Sequence, residues 1–123
     1  MAEVRRPDDG ELLGSVVEEA DGRWVALTVF GGVLGVRHSA AEAAGLVRSD
    51  GLSSLARRWF YRASPHDAWS VVVIQEAWPG RAILIDGPYA LPGVPTIELR
   101  AADLDEGAEM TLEPPDEELA QHA

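Results

Sequence analysis

The chain has 123 residues and no cysteine. That is the size of one domain, and it excludes disulfide frameworks, thiol catalysis and cysteine-held zinc. A hydrophobic fraction of 46% argues against wholesale disorder. The net charge of −11 argues against duplex nucleic acid as a partner, because neutralising phosphates supplies most of that affinity.

All ten basic residues are arginines. We read this as GC-rich coding rather than selection for bidentate carboxylate or phosphate recognition. The longest unbroken apolar run is "VVVI", Val71 to Ile74. A bilayer span needs about 20 apolar residues, so no membrane partner is expected. No apolar run follows "MAEVRRPDDG". The reading is therefore a cytoplasmic protein without a secretory leader.

Residues 1–10 are polar and read as a flexible lead-in. The next stretch, "ELLGSVVEEADGRWVALTVFGG", carries two alternating runs around Asp21-Gly22. Asp-Gly is the preferred pair of a two-residue type I′ turn. That turn places Val16 opposite Leu27 and Gly14 opposite Val29. It predicts a core face of Val16, Val25, Leu27 and Val29, with a mixed second face of Ser15, Val17, Trp24, Ala26 and Thr28. "GGVLG", Gly31 to Gly35, lacks the Lys-Ser/Thr of a phosphate loop and reads as a bend that ends the strand.

Ser39 with Glu42 three residues on forms a capping-box signal, and the alanines that follow are strong helix formers. A helix is expected there, ending near "SDG" at Ser49 to Gly51. His38 and Glu42 are spaced to share a metal, but no third ligand is nearby. Leu52 to Arg57 is expected to make one or two helical turns, followed by a strand over Arg58 to Ala63. "SPHD" is a turn cluster, and "WSVVVIQEAW" is a strong strand. Pro79-Gly80 turns the chain into a strand over Ala82 to Asp86. Three prolines in "GPYALPGVP" give an extended loop with little ladder bonding. Strands are expected at Thr96 to Arg100 and Glu109 to Leu112, with a turn over "ADLDEG" between them. Residues 114–123 read as an acidic flexible tail, which leaves 11–113 as a single domain.

The segment "RRWFYRASPHDAW" concentrates the candidate binding residues: Arg58, Trp59, Tyr61, Arg62, His66 and Trp69, joined by Tyr89 of the Pro-rich loop. Interleaved arginines and aromatics are how single strands are gripped, and Trp, Tyr and Arg also dominate protein hot spots. The net charge favours the second use, and packing of one face into the core competes with both. No nucleophile elbow is present, and His66-Asp67 lacks the further ligands of a metal phosphohydrolase. Glu76 would be an acid/base candidate only if it faced inward. Catalytic residues, metal ligands and cofactors are therefore not assigned.

The expected fold is α+β: a mainly antiparallel, strongly bent sheet or partly closed barrel of about six strands with one or two short helices. The expected function is that of a non-catalytic interaction or accessory protein. Consecutive apolar residues in "VVVI" and "AILI" leave two apolar sheet faces for one helix to cover. That predicts a homodimer or a closed barrel. The alternative is a small-molecule-binding domain or an unrecognised enzyme with a pocket between the sheet and loop 87–96. Convergence of Trp59, Tyr61, Glu76 and Tyr89 would favour it.

Overall fold

The computed structural model describes residues 1–87 and 93–120. Among the described residues, nine strands form one mixed sheet. In chain order they are β1 (Ala2–Arg5), β2 (Leu12–Glu18), β3 (Trp24–Thr28), β4 (Val33–Arg37), β5 (Arg58–Arg62), β6 (Ser70–Trp78), β7 (Arg81–Asp86), β8 (Thr96–Arg100) and β9 (Glu109–Thr111). Helix α1 (Ala40–Asp50) and a 3-10 turn (Ser53–Ala56) separate β4 from β5. Helix α2 (Ala101–Asp105) follows β8, and α3 (Glu117–Ala120) follows β9. The described residues contain no helix long and apolar enough to cross a membrane.

The spatial order is β1-β2-β3-β4-β9-β5-β6-β7-β8. Two antiparallel meanders are thus joined through β9, which pairs antiparallel with β5 and parallel with β4. The α+β class and the mostly antiparallel pairing agree with the sequence reading. The count of about six strands and the partly closed barrel do not: the described residues form nine strands, and the sheet ends in open edges at β1 and β8. Two of the unexpected strands have simple causes. β1 is an edge strand that buries only Val4, so it has almost no apolar periodicity and resembles a flexible lead-in. β4 lies in "GGVLG", where the glycines suggest a bend.

The hairpin around Asp21-Gly22 forms, but with a different turn. Gly22 N–H donates to Glu19 O and Glu19 N–H to Arg23 O. Gly22 has φ +85°, and no non-glycine residue among those described has positive φ. This is a type I turn followed by a left-handed glycine, a three-residue loop, rather than type I′. The added loop residue shifts the register by one, to Val16↔Ala26 and Gly14↔Thr28. A one-residue shift exchanges faces. Val16 therefore shares its face with Ala26 and Thr28, and the expected grouping of Val16 with Val25, Leu27 and Val29 is incorrect.

The corrected register seats the helix. Val16, Ala26 and Gly35 lie side by side across β2, β3 and β4. A Cβ at Gly35 would meet Leu46 Cδ2 of α1 at 3.0 Å, and one at Gly14 would run into Leu27 O and Val47 Cγ1. Small residues under α1 let it approach the sheet closely, and Ala43 and Val47 are fully buried there. Ser39 caps the helix as the sequence suggests, its hydroxyl accepting from Glu42 N–H at 3.2 Å.

One hydrophobic cluster joins these residues to Trp59, Val72, Ala82, Leu84 and Leu99 from the second meander. The sheet bends far enough that Gly80, in the β6–β7 turn, donates to Val29 O just after β3 at 3.0 Å.

Candidate functional site

The aromatic-arginine segment divides between core and surface. Trp59 is fully buried. Its indole N–H donates to Ser54 O at 2.9 Å, and its ring meets Phe30 edge-on with centroids 5.5 Å apart. It packs in the core with its polar handle satisfied, so this binding candidate presents no exposed surface. Phe60, one position on, is also buried but points to the other side of the sheet.

Arg62 and Trp69 come together at the end of β5, while Tyr61 lies on the other face of the strand. Tyr61 is half-buried and packs against the core. Burial first, then the nearby Asp103 and Asp67 carboxylates, push its hydroxyl above the ordinary tyrosine range. Arg62 pairs with Glu109 of β9, donates to Pro65 O at 3.1 Å and stacks its guanidinium 4.4 Å from the Trp69 ring centroid. These bonds engage the guanidinium in fixing the β5–β6 connection. His66 is exposed at the tip, with its backbone N–H on Ser64 Oγ at 3.3 Å. Arg58 is half-buried on the outer face of β5, opposite Val73. Tyr89 lies outside the described residues, as does half of the 87–96 loop beside which the alternative placed a pocket.

Glu76 is exposed. Strict alternation from the buried Val72 and the partly buried Ile74 would turn it inward. A bulge between Ile74 and Glu76 instead pairs it with Ile83 and turns it out. Trp59 and Glu76 therefore face opposite sides of the sheet. Among the described residues, no three His, Asp or Glu side chains are grouped to hold a metal ion.

Two other surfaces stand out. The first is the outer face of β5–β7. Val71 and Val73 of β6 and Ile83 and Ile85 of β7 are half-exposed beside the buried Phe60. The register sets Phe60 against Val71 and Val73 against Ile85. Arg58, Arg62, Arg81 and Arg100 frame this band, together with Glu76, Glu98 and Glu109. Arg81 bridges the Trp78 ring, 4.7 Å from its centroid, and Glu98, at 3.0 Å. Consecutive apolar residues in the sequence are the signal for this face.

The second is a cleft of about 500 Å³ on the first meander, walled by Leu12, Leu27, Phe30 and Leu104. Gly31 and Leu104 also line a smaller hollow of about 270 Å³ that reaches Trp69. Sequence reasoning misses the cleft. It depends on the hairpin register and on α2, which the sequence presents as a plain turn.

Comparison of the chain with family models, with curated proteins and with solved structures finds no match.

Proposed function

We propose that this chain is a non-catalytic, cytoplasmic interaction protein that self-associates through the outer face of β5–β7, in the simplest case as a two-fold dimer. The observation that carries the reading is the half-exposed band of Val71, Val73, Ile83 and Ile85. An open sheet cannot bury such a band by closing on itself. A contiguous apolar strip rimmed by polar residues is the usual form of an association surface.

Charge supports the same face. The molecule carries −11, so most of its surface repels a second copy. Around the band, four arginines (58, 62, 81 and 100) stand against three glutamates (76, 98 and 109), a balance of +1. Like-charge repulsion is therefore lower here than the molecular average.

Light scattering on purified protein tests the reading. The expected mass in the micromolar range is twice the 13.2 kDa monomer. A mass of 13.2 kDa that persists on concentrating would overturn self-association.

A further inference from the structure

We infer that the cleft on the first meander is a binding site for a small amphipathic cation, a ligand with an apolar body and an ammonium or guanidinium end. The site is separate from the proposed self-association face. Glu3, Ser15 and Leu27 stand opposite one another across β1, β2 and β3. They lie on the side turned away from α1, because the adjacent Gly14 is the position that faces Val47.

The opposing wall comes from the far end of the fold. The β6–β7 turn reaches across to Val29, and Gly80 O accepts Ala101 N–H at 3.0 Å, fixing the start of α2. Leu104 of that helix then closes the cleft over Gly31, where a Cβ would approach its Cδ1 to 2.9 Å.

A volume of about 500 Å³ falls within the range of small-molecule pockets. The walls are apolar: Leu12, Leu27, Phe30 and Leu104. Among the described residues, the charged side chains in the lining are Glu3 and Asp105, with no arginine or histidine. Arg5 already pairs with Glu3 at 3.1 Å. Asp105, on the α2 wall, is therefore the stronger attractor. An apolar body would displace water from the leucine and phenylalanine walls. Its cationic end would sit at the Asp105 rim, where the carboxylate and the molecular field both favour it. An anionic ligand would meet the opposite sign on both counts.

Calorimetric titration with octylammonium, octanol and octanoate tests the assignment. The expected order of affinity is octylammonium, then octanol, then octanoate. The cation should exceed the anion by about fivefold or more at low salt. The molecular charge alone gives some preference for cations, so the decisive comparison is between variants of equal charge. Asp105→Asn and, to a smaller extent, Glu3→Gln should reduce the preference for octylammonium over octanoate while leaving octanol binding unchanged. Both residues are exposed. Asp86→Asn, exposed on β7, should leave the preference and octanol binding unchanged. Absence of octanol and octylammonium binding would overturn the site. So would an Asp105→Asn protein that discriminates as well as the Asp86→Asn control. Neither result bears on the self-association face, which light scattering reads separately.

Discussion

Gly80 N–H donates to Val29 O at 3.0 Å although β4, β9 and β5 lie between β3 and β6 in the sheet. Two points with three strands between them can touch only if the sheet bends sharply. The contact joins the two meanders at a second place besides β9. It also holds the β6–β7 turn where it receives Ala101 N–H and positions α2.

The amides of Gly80 and Ala101 should therefore exchange slowly with solvent, although one lies in a hairpin turn and the other begins a helix, sites that ordinarily exchange fast. Hydrogen exchange followed by NMR measures this. Exchange of both at unprotected rates would mean that the bend is not held in solution.

The Asp21-Gly22 loop makes a paired prediction. Gly22→Val should destabilise by about 1–3 kcal/mol, because a β-branched residue resists the left-handed backbone of the turn. Asp21→Gly should leave the loop conformation intact, since Asp21 does not have positive φ. It removes only the carboxylate bonds to Arg23 N–H (3.1 Å) and Arg23 Nε (2.7 Å). A type I′ turn would instead gain from glycine at both positions. Thermal melts of the two variants separate the turn types: stabilisation by Asp21→Gly would favour type I′.

Two glycines should respond in opposite directions to alanine. At Gly14 a Cβ runs into the backbone of β3 and into Val47 of α1, so Gly14→Ala should cost about 3 kcal/mol by forcing the helix off its seat. Gly45, within α1, has open space around it. Gly45→Ala should stabilise by about 0.5–1 kcal/mol through helix propensity. Urea unfolding of both proteins gives the comparison, and a neutral Gly14→Ala would mean that α1 does not pack as closely as described.

Adjacent valines of β6 distinguish core from contact surface. Val72 is fully buried, whereas Val73 is half-exposed on the outer face. Val72→Asp should unfold the protein, because an unpaired carboxylate in the core costs several kcal/mol. Val73→Asp should leave the monomer folded by circular dichroism and dissociate the dimer in light scattering. If the Val73→Asp protein stays dimeric, the outer face of β5–β7 is not the interface.

Tyr61 should titrate above the ordinary tyrosine value, chiefly because it is partly buried and secondarily because Asp103 and Asp67 lie nearby. Its neutral form is favoured in the native state. Its contribution to stability is thus fully present below the unfolded tyrosine pKa and is lost as pH rises through the folded one. With Tyr89→Phe leaving Tyr61 as the single tyrosine, ultraviolet titration reads its midpoint directly. Asp67→Asn should lower that midpoint only slightly, since burial dominates. A midpoint at or below the ordinary value would contradict the placement of the side chain.

Where the signal is local, the sequence by itself determined much of this protein. Ser39 and Glu42 specify the start of α1 because capping is satisfied within one turn of chain. The strand over Thr96–Arg100 and the segment pair around Pro79-Gly80 follow from alternation and turn chemistry. The apolar runs at Val71–Ile74 and Ala82–Ile85 imply a second apolar face, which lies on the outside of β5–β7. The tertiary structure decided what depends on pairing. One added loop residue at Gly22 shifted the β2–β3 register and exchanged the expected core face of the hairpin. A bulge at Gln75 turned Glu76 out to solvent. The segment Gly31 to Gly35, which suggests a bend, became the approach to β4, the start of that strand and part of the seat for α1. Trp59, a binding candidate by its neighbours in sequence, went into the core because Phe30 and Ser54 O receive its ring and its N–H. Register and bulges are settled by which side chains pack across strands far apart in sequence, and residue types along one segment do not contain that information.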